Sequence, residues 1–287
     1  MKPRYCFWSV CDGAYGAMME HCVVTARLAG VFKEFHVLFD RPLEGCECYD
    51  AYELEKTHGL FKLHYLKVGM SRLSFDFFVW LDADTVFARN PVDLLGPMGK
   101  SPMHVPLEAS VWALGENCPS RGTAGGDARG PDAKVSGLEE DCLWKGTPLG
   151  RLRELWRQEG VANQMYASQS AFWIIHHDAI ETVYELAMGF WHKADHAGLE
   201  VEVSAALGYA MQMLCADPEA HLLVNHADLW ASDDESHFRD SLPDGTAWSW
   251  RHPLWTDAVE ICPSIIHLPK SKELLAASRK RSDAFVH

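Results

Sequence analysis

Basic residues are scarce in this chain. Its 287 residues carry 26 Lys and Arg against 40 Asp and Glu, a formal net charge of −14. That balance excludes a general nucleic-acid binder, which needs a basic face. It leaves room for a nucleotide, because a metal ion and two or three local cations neutralise a diphosphate. Long hydrophobic runs are also missing. No stretch of apolar residues approaches the length of a membrane-spanning helix. Residues 1–5 lead straight into a strand-like run, without the charged, apolar and small-residue regions of a secretory signal. The nine cysteines are odd in number and irregularly spaced. Cys6, Cys22, Cys215 and Cys262 sit in apolar runs and read as small buried hydrophobes. Cys46-Glu47-Cys48 has no second pair to complete a zinc site. Reduced, structural thiols and a cytoplasmic chain are the expectation. There is no internal repeat, no clean domain linker and no G-x-x-x-x-G-K-[ST] phosphate loop.

What is present is a 48% hydrophobic composition, enough for one large domain. Strands are predicted at 4–10, 34–39, 63–68 and 77–81. Between the first two, Tyr15, Met19, Cys22 and Ala26 recur at helical spacing, and Gly30 marks the helix end. A short helix is expected at 50–58. Strands alternating with helices imply an α/β fold, a mostly parallel sheet with helices on both faces. Asn90-Pro91 interrupts the pattern, and a strand is expected at 103–106. Residues 115–147 hold seven glycines with Pro119 and Pro131. They read as a flexible loop, of the length that usually serves as a lid or binding loop. Order resumes with a helix at 149–158 ended by Gly160, then a buried strand at 170–175. Ile180, Val183, Tyr184, Ala187 and Trp191 share one helical face, and another helix follows at 205–214. Residues 226–260 are rich in Trp, Asp and Pro with weak periodicity. A last strand at 261–267 precedes a basic tail helix.

The chemistry concentrates at Asp82-Ala83-Asp84, directly after the apolar run 77–81. Alternate residues of an extended segment point the same way, so both carboxylates can serve one divalent cation. Open α/β sheets bind their ligands at the carboxyl ends of the strands. Magnesium and manganese sites take one or two carboxylates and fill the rest with phosphate oxygens and water. His267, at the end of the final strand, is a candidate third ligand, and an imidazole favours manganese. His176-His177-Asp178 resembles a metal cluster but reads better as a strand end with Asp178 capping the next helix. Trp230, Trp248, Trp250 and Trp255 make either an acceptor-binding shelf or the core of a small lobe.

On these residues the chain resembles the glycosyltransferases of the GT-A (Rossmann-like) fold that carry an Asp-x-Asp motif. It is most similar to glycosyltransferase family 8, the glycogenin and galactosyltransferase-like group. Leu81-Asp82-Ala83-Asp84-Thr85-Val86 matches that family's metal motif. The resemblance implies a single catalytic domain over 1–287: a nucleotide-binding half at 1–95, the loop at 115–147, and a sugar- and acceptor-binding half with an irregular region at 148–287. It implies Mn2+ or Mg2+ held by Asp82, Asp84 and His267, with a UDP-sugar as donor. Cys11, Asp12 and Tyr15 would line the base and ribose pocket, Tyr15 offering a stacking face. Asp40 is a candidate ribose contact, and Arg72 a candidate for phosphate or sugar. The family's late His-x-x-Gly-x-x-Lys motif stands here as His267-Leu268-Pro269-Lys270-Ser271-Lys272, without the glycine. Lys270 and Lys272 are therefore candidate diphosphate contacts. Gln169 and Glu202 are expected near the transferred sugar.

The implied reaction moves a hexose to a hydroxyl of a saccharide, lipid-linked glycan or protein. Glu202 or Asp234 takes the acceptor proton if the reaction inverts, and the departing phosphate takes it if the reaction retains. Two other readings fit the same residues. In a haloacid dehalogenase-type phosphatase Asp82 would be the nucleophile and Asp84 the general acid, although that motif normally follows the first strand. In a non-catalytic protein the site would bind a nucleotide sugar without turnover.

Overall fold

A computed structural model describes residues 3–10, 15–31, 35–38, 47–49, 61–95, 102–105, 107–113, 143–144, 147–161, 164–168, 170–215, 230–232, 238–241, 248–251, 258–261 and 264–267. The chain opens with β1 (Tyr5–Val10), α1 (Gly16–Leu28), β2 (Phe35–Leu38), β3 (Glu47–Tyr49) and α2 (Phe61–Arg72). Then come β4 (Phe77–Leu81), β5 (Thr85–Phe87), α3 (Val92–Leu95), β6 (Met103–His104) and β7 (Leu107–Ala113). The middle holds β8 (Leu143–Trp144), β9 (Thr147–Pro148), α4 (Leu149–Gln158), β10 (Gln164–Ser168), β11 (Phe172–His176), α5 (Ile180–His196) and α6 (Val203–Leu214). Five short strands follow: β12 (Trp230–Ser232), β13 (Phe238–Ser241), β14 (Trp248–Arg251), β15 (Ala258–Ile261) and β16 (Ile265–His267).

The main sheet has the order β3-β2-β1-β4-β11-β6. β3, β2, β1 and β4 run parallel, while β11 is antiparallel to both β4 and β6. From β1 the chain first builds outward through β2 and β3, then returns to place β4 on the other side of β1. The gap beyond the carboxyl ends of β1 and β4 is thus the switch point at which such sheets bind ligands.

Side-chain alternation sorts the core into two layers, as a sheet covered on both faces requires. Cys6, Trp8, Phe78, Trp80, Trp173 and Ile175 face one layer, with buried residues of α2, α4, α5 and α6. Tyr5, Phe7, Phe77, Val79, Leu81, Phe172 and Ile174 face the other, against Met19, Cys22, Val23 and Ala26 of α1. Helices therefore cover both faces, as the alternation of elements predicts. All five residues of β4 are buried. Each such side chain contributes about 1.5–3 kcal/mol of hydrophobic stabilisation.

Helix ends follow their sequence signals. At the end of α1, Gly30 N–H bonds to Arg27 O and Val31 N–H to Ala26 O, with Gly30 at φ +82°. Gly160 closes α4 with the same paired bonds, to Arg157 O from itself and to Trp156 O from Val161, at φ +89°. Both are Schellman motifs, which favour glycine at the left-handed position.

Several elements differ from the sequence reading. Residues 63–68, predicted as a strand, lie inside α2. Among its described side chains Leu63, Tyr65 and Leu66 are buried, and their short apolar run fits either period. The motif strand is still the fourth in the chain, because β3 takes the vacated place in the order. In α5 the buried stripe is Ile180, Val183, Ala187, Phe190 and Ala194, with Tyr184 and Trp191 partly buried beside it. Residues 226–260, read as weakly periodic, hold β13, β14 and most of β15, which form an antiparallel sheet. The predicted strand 261–267 is divided between β15 and β16. Of the 115–147 loop, Leu143–Trp144 and Thr147 belong to the β8–β9 pair; the remainder, the 50–58 helix and the basic tail lie outside the described residues. Among the described residues no helix is long and apolar enough to cross a membrane.

Candidate metal and donor site

Asp82 leaves β4 still held as strand: its N–H bonds to Ala171 O at 3.1 Å, one residue beyond the β4–β11 ladder. Ser9 Oγ donates to Leu81 O at 2.7 Å and fastens β1 to the end of β4. Trp80 points into the layer that contains α2, and Asp82, two residues on, shares that side. Lys62 of α2 meets it there.

Lys62 Nζ lies 2.6 Å from Asp82 Oδ1 and 2.7 Å from Oδ2, and donates also to Ser170 O at 2.9 Å. Trp80 Nε1–H adds a bond to Asp82 Oδ1 at 2.9 Å. The Lys62 side chain is 13% exposed and that of Asp82 24%. Trp80 stacks on Trp173 with ring centroids 5.0 Å apart, and Trp173 Nε1–H bonds to Ser170 O at 3.0 Å. The same carbonyl thus takes the lysine and the second tryptophan, and the first acid of the motif is held by the lysine and the first tryptophan.

Asp84 and His267 meet through a small sheet. β16 pairs antiparallel with β5 and parallel with β12. Ser264 O accepts from Ala88 N–H and Arg89 N–H, and Ser264 Oγ accepts from Arg89 Nε–H. Those bonds fix where β16 begins, and so where His267 falls. His267 Nε2 is 3.2 Å from Asp84 Oδ1. Burial is the largest single influence on the Asp84 carboxyl and pushes its pKa up. The His267 hydrogen bond and charge, the Asp84 backbone N–H and the Lys62 ammonium together outweigh it and hold the pKa below the usual carboxylate value. The His267 ring also stacks on Trp230 (centroids 6.2 Å, planes 22° apart), which stacks in turn on Phe172.

One ligand atom each from Asp82, Asp84 and His267 lies within 4.8 Å of the others. Two carboxylates and an imidazole are a hard, mostly oxygen donor set that suits Mn2+ or Mg2+ and leaves coordination positions open. Among the described residues it is the only cluster of this kind. The His176-His177-Asp178 run is a strand end and short 3-10 turn, with His176 Nδ1 accepting from Asp178 N–H.

Other sequence candidates fall as follows. Tyr15 occupies the N-cap position of α1, at the end of the segment from β1, and is 51% exposed, so its ring is open to a partner. Glu202 occupies the N-cap position of α6 and is exposed, with Ala205 N–H and Ala206 N–H bonded to its carbonyl. Arg72 is the last residue of α2; its side chain is outside the described residues, as are Cys11, Asp12, Asp40, Gln169, Asp234, Lys270 and Lys272. Trp230 is buried and packs on a candidate ligand, so it is no open shelf. Lys62 was missed from sequence. Its one available signal is position: it stands four residues before buried Leu66, on the inward side of α2.

The sequence matches no protein-family model and no curated protein. The structure is similar to solved structures of the galactosyltransferase LgtC. For LgtC in complex with donor and acceptor sugar analogues, the TM-score is 0.50 at 10% identity, covering 97% of this chain and 94% of that one. For an active-site mutant of LgtC the TM-score is also 0.50 at 10% identity, covering 92% and 87%. The likeness extends over nearly the whole of both chains, and the fold is that of the GT-A glycosyltransferases.

Proposed function

We propose that this chain is a metal-dependent glycosyltransferase, which moves a hexose from a nucleotide sugar, UDP-linked, to a hydroxyl of a saccharide, lipid-linked glycan or protein. One observation carries the reading: Asp82, Asp84 and His267 converge within 4.8 Å at the carboxyl edge of β4, the switch point of a GT-A sheet. The phosphatase reading asked for the motif on the first strand; it follows β4, beside a histidine.

In this reading Asp82, Asp84 and His267 hold Mn2+ or Mg2+. When bound, the cation neutralises the negative charge that gathers on the leaving diphosphate. Lys270, Lys272 and Arg72 are the proposed cationic contacts to the same phosphates, and preorganised charge of that kind is often the largest catalytic contribution. Cys11, Asp12, Tyr15 and Asp40 take the base and ribose, and Gln169 the transferred sugar. As the bond from sugar C1 to phosphate oxygen breaks, the acceptor oxygen bonds to C1 and releases its proton. The family resemblance favours retention, with a phosphate oxygen taking that proton. Glu202 or Asp234 takes it if the configuration inverts.

The test is thermal unfolding with Mn2+ and UDP, GDP or CDP, followed by assay of UDP release from UDP-hexoses. A ligand at a hundred times its Kd adds about 2.7 kcal/mol of stability. The expected result is a UDP-selective stabilisation that needs the metal, together with UDP release. Stabilisation without turnover would indicate a binding protein. No stabilisation, with hydrolysis of a generic phosphate ester, would overturn the reading.

A further inference from the structure

Lys62 has no place in the proposed reaction, yet it is the most tightly engaged cation of the site. Its ammonium covers both oxygens of Asp82 at 2.6 and 2.7 Å and is anchored from behind by Ser170 O at 2.9 Å. With the Trp80 Nε1–H bond to Oδ1, three of the roughly four acceptor positions of this carboxylate are in use. The lysine is mostly buried and stands 5.7 Å from the Trp80 ring centroid, where solvent screens it little. The charges follow simply. Asp82 and Asp84 together carry two negative charges, and Lys62 already cancels one. A divalent cation entering the cluster must take up a carboxylate that another cation holds, in a pocket whose sum it turns positive. A diphosphate reverses that imbalance and brings the oxygens that the open coordination positions require.

We propose that Lys62 is an internal counter-ion that keeps the affinity for free metal low, so that cation and nucleoside diphosphate bind as a coupled pair. The inference rests on the metal-site reading above and adds to it a residue that sets the binding order. Coupling is reciprocal: whatever factor the nucleotide adds to metal affinity, the metal adds to nucleotide affinity. Lys62 is a positioning residue here, acting through Asp82.

The experiment is calorimetric titration of Mn2+ into the wild-type protein, Lys62→Met and Lys62→Arg, each alone and with saturating UDP. Lys62→Met removes the competing charge and keeps an apolar stem against Trp80. It should bind free Mn2+ roughly tenfold more tightly than wild type, and UDP should tighten that binding by a smaller factor. Lys62→Arg keeps the charge and should behave as wild type. Mn2+ should also raise the Tm of Lys62→Met more than that of wild type, because the metal then replaces the lost partner of a buried carboxylate. Should Lys62→Met fold poorly, Lys62→Gln, which retains a donor for Ser170 O, carries the same expectation. Free-metal affinity in Lys62→Met equal to or weaker than wild type would overturn the proposal, even if UDP and Mn2+ still bind together. If wild type binds Mn2+ without any effect of UDP, the donor reading and the coupling both fail.

Discussion

His267 lies opposite Thr85 across the β16–β5 pair, and that register brings its Nε2 to 3.2 Å from Asp84 Oδ1. The contact sets the contribution of Asp84 to the acid behaviour of the metal-free protein. The folded-state pKa of Asp84 is depressed, whereas the unfolded chain titrates near the ordinary value of about 3.9. Between those two values the unfolded state binds more protons. The stability Asp84 contributes is thus present above the unfolded value and lost as pH falls toward the folded one. In His267→Leu the strongest lowering influences go and burial remains, so the carboxyl moves up: the variant is less stable than wild type where Asp84 is charged, and that deficit is relieved as acid protonates the carboxyl. Urea unfolding in EDTA between about pH 3 and 6 should show His267→Leu less stable than wild type at the upper end, with the gap narrowing as pH falls. Coincident pH profiles would contradict the pairing.

Trp230 orients the His267 ring by stacking on it. Aromatic pairs of this kind are worth about 0.5–1.5 kcal/mol beyond their burial. Trp230→Ala should weaken Mn2+ binding up to roughly tenfold, and Trp230→Phe, which keeps a ring, should restore most of it. Equal Mn2+ affinities in the two variants, measured by titration, would leave Trp230 with a packing role alone.

Trp80 and Trp173 allow a matched comparison. They stack on one another, and each donates one indole N–H, Trp80 to the Asp82 carboxylate and Trp173 to the Ser170 carbonyl. Tryptophan to phenylalanine removes similar ring volume at both positions. The hydrogen bond to a charged group is worth about 1.5–3 kcal/mol and the neutral one about 0.5–1.5. Trp80→Phe should therefore be the more destabilising in urea unfolding, by about 1 kcal/mol.

Gly160 isolates backbone strain. It sits at φ +89°, and a Cβ placed there meets nothing within 4 Å. Gly160→Ala should cost about 1–2 kcal/mol from left-handed strain alone, read as a lower Tm. No change would mean that the end of α4 readily adopts another turn.

The parts legible in sequence are those whose signal is local. The five apolar residues Phe77–Leu81 announce a buried strand, and an acid pair straight after them announces a site at its end. Gly30 and Gly160 mark helix ends because the left-handed turn demands them. Leu63, Tyr65 and Leu66 were ambiguous because six residues fit both periods, and α2 won through packing of its 12-residue length against the sheet. β3 is three residues of ordinary composition, stabilised as a strand by β2 rather than by itself. β14 carries a period-two signal in Trp248 and Trp250 that was obscured by the polar residues around it. Pro263 stands between β15 and β16 in the sequence and is a reason to expect two strands there. His267 was legible as a strand-end residue. Lys62 was not, since its partners are 20 and 108 residues away in the chain and no local pattern encodes such contacts.

The central claim is that Asp82, Asp84 and His267 hold the cation that carries the donor diphosphate. Pulsed electron paramagnetic resonance of Mn2+ with UDP and the protein reads both sides of that bond at once. Nitrogen coupling from an imidazole and phosphorus coupling from the diphosphate should appear together, with the nitrogen signal lost in His267→Leu and in Asp82→Ala/Asp84→Ala, where only the phosphorus coupling of Mn2+ and UDP in solution remains. A spectrum of hydrated Mn2+ with UDP alone, unchanged by the protein, would contradict the account.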